Sequence, residues 1–534
     1  MALIDVHISN IANQIRRNLN LHQKLGERDH TIPNSSVLQI PPEIMGRIFA
    51  LCIEDSSNSG TTQNSNILRR RHSPDTMSSN WTQRGVLVLG LVCKLWREIT
   101  LSTPCLWTSF QIQFSNLDDE YTSLQVADQW FSRSGSLPLK FHIRPIEHFI
   151  PLKTPLPESV QLLRDIIHSH GDQWEELFLT CHASTLRSVV DFPYTFPRLR
   201  TLTFRPSSLL QPFRTATFPN IENLNLNLIS SLDHENMSLQ MLTRVELHNT
   251  SVRMCVELVK IVPFLRTYIV HISKFGVEDA RMIQFPVEGR HVHTFKLFAY
   301  SHSIYLLQNL TFPALEDLSC IVIGEDVDVS IFDCDTLRIH LHRSGAQLKV
   351  LTATHPCQAF QNGRALQYLA EMPSLETLHL KGIGLRLERS SVSRLFKRLA
   401  ESTLLADTPT STVFLPNLQS LTMYYRTAGW DDGLKLPWNS ISQVFGPLEE
   451  IGHSSRRPLH HLRILLEGSY MEPDEGDDQI NIRCIGNKAL RELMKAREKG
   501  VIIEVGYARY GKGDIALDIL ELSCRAHNVT YKLT

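Results

Sequence analysis

The chain has 534 residues, 42% of them hydrophobic and 20% charged, with a formal net charge of −1. This is the balance of a globular protein long enough for two to four domains. It argues against a dedicated nucleic-acid or anionic-membrane binder, which normally carries a basic excess. The ten cysteines are scattered, without a C-x-x-C pair, as expected of buried thiols in a reducing compartment. No signal peptide is read at MALIDVHISN, and no apolar run is long enough to span a membrane.

In chain order, residues 1–30 are expected to form an N-terminal helix, with Ile4, Ile8, Ile11 and Ile15 at helical spacing. A second unit spans 38–107. It opens LQIPPEIMGRIFALCIED, where Pro41, Pro42 and Glu43 mark a helix start. Ile44, Met45, Ile48, Phe49 and Cys52 then form one apolar face. Its closing half, VLVLGLVCKLWREITLSTPCLW, repeats the pattern with Val88, Val92, Trp96 and Ile99, and Pro104 ends it. Residues 54–84 between the halves are rich in Ser, Thr and Asn and are expected to be a disordered insert. That insert carries the charge run Arg69-Arg70-Arg71 and Ser73-Pro74.

From 108 to 173 a connecting segment is expected, with helices at Asp118–Arg133 and Pro157–Ser169 around a strand at Leu137–Ile143. A repeat then occupies 174–534. WEELFL at Trp174 is echoed by LRTLTF at Leu199, IENLNL at Ile221, LTRVEL at Leu242, LRTYIV at Leu265, VHTFKL at Val292 and LEDLSC at Leu315. The shared frame is L-x-x-L-x-L, recurring 21 to 27 residues apart. LETLHL at Leu375, LQSLTM at Leu418 and LRILLE at Leu462 continue it. Alternate strand residues face opposite sides, so one repeat buries one face and needs neighbours to close a core. The tail after Arg426 is expected to cap the array, with a helix at Asn487–Lys499, a strand at Gly500–Val505 and a helix or strand–helix pair at Asp514–Cys524.

The 38–107 unit resembles the F-box. The Pro-Pro-Glu-Ile start, Ile48-Phe49, the run Val92-Cys93-Lys94-Leu95-Trp96-Arg97 and Trp107 carry the likeness. The layout is similar to F-box proteins of mushroom-forming fungi, followed here by a degenerate leucine-rich-repeat domain. The fold implied is α plus α/β: a small helical F-box, then an irregular solenoid of parallel strands and helices. The resemblance implies a substrate-recruiting adaptor of a cullin-type (SCF) ubiquitin ligase. Its F-box would bind a Skp-type adaptor through Pro42, Ile44, Ile48, Phe49, Val92, Trp96 and Trp107, divided between contact and core. The alternative is a non-catalytic repeat scaffold or regulatory F-box protein acting outside a ligase.

Strand alternation singles out a second set of residues. The position between the last two apolar residues of each frame faces away from the core. Along the array it reads Thr203, Asn225, Glu246, Ile269, Lys296, Ser319, His379 and Thr422. This mixed row on the expected concave face suits an unidentified protein target. No catalytic residue, metal site or cofactor is expected. Gly506 to Lys512 match G-x-x-x-x-G-K, but Gly513 follows where a P-loop needs a hydroxyl. His291-Val292-His293 and His460-His461 lack a third ligand nearby in sequence. The expected location is cytoplasmic, nuclear or both, with no nucleic-acid or membrane partner.

Overall fold

One apolar frame, repeated along the chain, sets the architecture in a computed structural model of the protein. The structure describes residues 40–58, 81–114, 117–145, 157–182, 185–187, 194–206, 217–227, 239–272, 286–299 and 305–322. It further describes 334–354, 364–384, 389–404, 413–427, 436–446, 457–468, 484–509, 515–527 and 529. The helix expected at 1–30 and the Arg69-Arg70-Arg71 run lie outside these residues. The chain divides into two compact units, Met1–Leu242 and Thr243–Thr534.

The first unit begins with three helices, α1 (Pro42–Asn58), α2 (Trp81–Val92) and α3 (Lys94–Leu101). One sequence expectation needs correction here. Helix α1 runs on to Asn58 and α2 starts at Trp81, so both ends of the 54–84 insert are helical. The closing half is two helices, α2 and α3. Cys93 is extended (φ −157°, ψ 172°), and its Sγ accepts a hydrogen bond from the Trp96 amide, capping α3. Such a cap satisfies an amide that has no partner within the helix. Gly46 lets α1 approach the end of α3, because a Cβ there would lie 2.7 Å from Thr103 Oγ1.

After a 3-10 turn at Pro104–Trp107 come β1 (Ser109–Phe114), α4 (Leu117–Phe131), β2 (Leu139–Pro145) and α5 (Pro157–Ser169). Then follow β3 (Trp174–Leu179), β4 (Thr201–Phe204) and β5 (Asn223–Asn227). These five strands pair in parallel, each with its neighbour in sequence. The segment read as a connector thus supplies two strands of the repeat sheet. Aromatic packing joins helices to sheet: Trp107 meets Trp130 edge-on at 4.5 Å, and Phe131 packs against Phe141 and Trp174. The Trp107 indole N–H donates to the Thr100 carbonyl, so its polar atom is satisfied while its ring is buried.

The second unit repeats the logic at greater length. Its strands are β6 (Arg244–Thr250), β7 (Thr267–Ile272), β9 (Thr294–Ala299), β11 (Asp317–Val322), β12 (Val350–Thr354) and β13 (Thr377–Gly384). β14 (Ser420–Thr427), β15 (His461–Gly468) and β16 (Ile502–Arg509) continue the parallel order, and β17 (Ile515–Asp518) closes it antiparallel. Short β8 (Val287–Glu288) and β10 (Leu310–Thr311) pair with each other. Intervening helices include α6 (Val252–Ile261), α7 (Tyr305–Gln308), α8 (Cys334–Ser344), α9 (Arg364–Ala370) and α10 (Arg389–Leu404). The last are α11 (Trp438–Gln443), α12 (Asn487–Glu498) and α13 (Ile519–Ala526).

Register places like on like. Val245, Tyr268, Phe295, Leu318, Leu351, Leu378, Leu421, Leu462 and Ile503 form one continuous buried column across the sheet. A second column, from Leu247 through Leu297 and Leu380 to Val505, runs beside it. Gly506, the first glycine of the G-x-x-x-x-G-K run, lies inside β16, paired with Leu465 and Asp518. The strand continues to Arg509, so this glycine opens no phosphate loop. Gly511, Lys512 and Gly513 lie outside the described residues. Among the described residues no helix is long and apolar enough to cross a membrane.

Two buried polar groups fix the loops of this unit. Leu415 has a positive φ of 50°, uncommon for a branched side chain. Buried Arg457 holds that turn. Its guanidinium donates to the carbonyls of Leu399 (3.0 Å), Phe414 (2.5 Å) and Leu415 (3.1 Å) and to Ser402 Oγ (2.6 Å). Burial lowers this guanidinium to about 10, still charged at neutral pH. In α8, fully buried His340 donates from Nδ1 toward the carbonyls of Leu307 and Leu310, at 3.1 and 2.9 Å. Burial lowers the imidazole to about 4, so it is neutral in the folded chain.

Arg457→Met is expected to destabilise the chain by roughly 3 kcal/mol or more, because it leaves several buried carbonyls without a donor. Urea denaturation of the variant beside the wild type measures this, and an unchanged midpoint would contradict the role. For His340, an unfolded imidazole titrates near 6.5 and the folded one near 4. The unfolded state therefore binds more protons in that window, and stability is lost as pH falls from about 6.5 towards 4. His340→Gln is expected to flatten that decline in thermal melts. An identical pH profile would assign the loss to other groups.

Candidate docking surface

The three N-terminal helices bury one side and leave another apolar. Met45 and Phe49 of α1, Val86 of α2 and Ile99 of α3 form the bundle core with Leu106 and Trp107. Phe49 packs against the half-buried Trp96 ring at 4.8 Å. Arg97 Nε donates to the Gly90 carbonyl at 2.9 Å, tying α3 back onto α2. On the outer side of α1, Ile44, Ile48 and Leu51 are 48%, 39% and 60% exposed. They stand at i, i+4 and i+7 and so share a stripe. On α2, Val88 and Val92 are exposed four residues apart and share a face, and Leu95 is exposed on α3 after the break at Cys93.

Thirteen large hydrophobic side chains are exposed among the described residues, and seven of them lie on these three short helices. Scattered exposed leucines are ordinary, but a concentration of this kind is not. The sequence-chosen residues divide accordingly. Pro42, Ile44, Ile48 and Val92 are exposed, Trp96 is half-buried, and Phe49 and Trp107 are core. Trp107 is only 1% exposed and is enclosed by Trp130, with the Arg133 guanidinium 5.0 Å from its ring, so it holds the bundle on α4. Leu51, Val88 and Leu95 were missing from that set. Their signal was the i, i+4, i+7 continuation of residues already chosen.

The row expected on the outer face of the repeats is in register. Thr203 pairs with Asn225 in the first unit. In the second, Glu246, Ile269, Lys296 and Ser319 pair in sequence, and His379 pairs with Thr422. The row also contains Thr352 between Ser319 and His379, and it ends in Arg463 and Glu504. Arg463 and Glu504 form a 2.8 Å ion pair. Thr203, Ile269, Ser319 and Thr422 are buried, while Asn225, Glu246, Lys296 and His379 are half-buried. Burial, with Lys381, His461 and Arg463 adding repulsion, lowers His379 to about 4 and keeps it uncharged.

His291 and His293 are both exposed beside β9, and His461 Nδ1 meets Ser420 Oγ at 3.0 Å. No family model matches the chain, and the search of curated proteins returns no match.

Proposed function

We propose that the three-helix bundle is an F-box that docks a Skp-type adaptor of a cullin ubiquitin ligase, and that the repeat units hold a target protein. The observation that carries this reading is the exposed apolar surface of these helices, the Ile44-Ile48-Leu51 stripe of α1 with Val88 and Val92 of α2 and Leu95 of α3, on a bundle with a closed core. A surface of aliphatic side chains next to a proline-led helix start offers the apolar centre that a protein interface needs. Pro42, Ile44, Ile48 and Val92 make the contact. Phe49, Trp96 and Trp107 keep the helices in place behind it. The leucine-rich-repeat reading of the strand array supplies the second half of the function. There the half-buried members of the second unit's outward row, Glu246, Lys296 and His379, meet the target, and the buried members Ile269, Ser319 and Thr422 set its floor. In this reading the chain performs no catalysis itself.

Affinity purification of the full chain from cells, read by mass spectrometry, tests both halves. Losing a buried aliphatic anchor typically costs about 2 kcal/mol, or roughly thirtyfold in affinity. Ile44→Asp with Ile48→Asp is therefore expected to abolish recovery of adaptor and cullin while the melting curve stays that of the wild type. Lys296→Glu is expected to change the target proteins recovered and leave the adaptor in place. Undiminished adaptor and cullin recovery by the folded double variant would overturn the docking assignment. Recovery of the adaptor without the cullin would turn the reading to a regulatory protein outside the ligase.

A further inference from the structure

Strands β6 and β7 bring three metal-ligating side chains together on the face opposite the Val245–Leu247 core positions. Glu246 and His248 are two residues apart and so share that face. His248 is the register partner of His271, and Glu246 is the partner of Ile269. The donor atoms of Glu246, His248 and His271 all lie within 4.8 Å of one another. Glu246 Oε1 and His248 Nε2 are 2.8 Å apart. The two imidazoles stack at 4.1 Å with planes 17° apart, and Phe298 from β9 stacks on the other side of His271, also at 4.1 Å. The group is well sheltered: the Glu246 and His248 side chains are 15% and 16% exposed, and His271 is buried.

We propose that Glu246, His248 and His271 bind one divalent transition metal of the zinc class. Two imidazoles and one carboxylate form a donor set suited to such an ion, with a fourth position left for water or a ligand from a partner. At metal–ligand distances of about 2.0–2.2 Å, tetrahedral donors stand roughly 3.4 Å apart. The Glu246–His248 pair is already inside that span. Bringing in His271 takes a turn of an imidazole ring out of the stack, within a register the strands already hold. The strand is shaped behind the ligands as well. Register shifts between His248 and Thr250, and Asn249 adopts a φ of 50°. Irregularities of this kind re-aim side chains and are frequent beside functional sites.

The hydrogen bond between Glu246 Oε1 and His248 Nε2 is the contact an incoming ion would replace. The Arg244 guanidinium stands 3.9 Å from the other oxygen of Glu246. It is half-exposed, so solvent and salt screen its repulsion of an incoming ion.

The test uses the full chain, stripped with a chelator and titrated with zinc chloride by calorimetry, with bound metal counted by elemental analysis. The chain has 23 histidines, so the site is read by difference between variants. The wild type is expected to hold one zinc with micromolar or tighter affinity. Glu246→Gln, His248→Gln and His271→Gln are each expected to weaken it at least tenfold, and the distant control His460→Gln is expected to have no effect. Cobalt(II) in place of zinc is expected to give the strong visible absorption of a four-coordinate ion, lost in the same three variants. Circular dichroism checks folding. Should His271→Gln unfold, Glu246→Gln, at a partly solvated side chain, decides the matter. Zinc binding unchanged in Glu246→Gln, or no binding by the wild type at about 100 μM zinc, would overturn the assignment.

Discussion

In-register stacking of one apolar frame on the next offsets the cost of ordering this chain. A single strand such as Leu378–Leu380 has little to bury alone. Paired with Leu351 on one side and Leu421 on the other, its side chains vanish from solvent. Every parallel step joins strands consecutive in the sheet order, and a crossover returns the chain to the start of the next strand. The arrangement is quasi-one-dimensional, with each repeat depending on its two neighbours. Two buried polar groups stand where the crossovers need them. Arg457 at the Leu415 turn and His340 under the Leu307–Leu310 segment both serve backbone carbonyls.

The same constraint explains why the outward face is suited to hold chemistry. Register fixes which residues face each other across strands, so groups distant in sequence meet at strand spacing. Arg463 and Glu504 form an ion pair this way, and His248, His271 and Phe298 form a continuous stack. The N-terminal bundle works differently. Its helices are short, and its core of Met45, Phe49, Val86, Ile99 and Trp107 uses one side of each, so the other aliphatic stripes stay in solvent. A helix face that remains apolar after the core is complete supports the docking role proposed for it.

Much of the strand array was legible because apolar side chains, leucine most often, stand at both inner positions of the frame. Trp174–Leu179 was read at its observed bounds, and the strand at Leu315–Cys320 was displaced by only two residues. β12 was hidden because its second inner position is Ala353, too small to register as part of an apolar pattern, although it completes the column from Cys320 to Leu380. β1 was missed because Ser109–Phe114 alternates without the leading leucine. The break at Cys93 was invisible to periodicity, since the apolar spacing runs through it in the sequence and only backbone geometry shows the cap. Helical spacing picked out Ile44, Ile48 and Val92 as apolar-face residues, but it put them with buried Met45 and Phe49 and did not show which stay exposed. The His248–His271 pairing was not legible, because two histidines on different strands acquire a relation only once the register is known.

Hydrogen–deuterium exchange on Leu378→Ala tests the stacking account most directly. The substitution opens a cavity in the middle of the second unit's buried column, at a cost of about 2–5 kcal/mol. If each repeat is held by its neighbours, exchange rises most in β13, next in β12 and β14, and progressively less along the strand order towards β6 and β16. Faster exchange confined to β13, or a uniform rise throughout the chain, would contradict it.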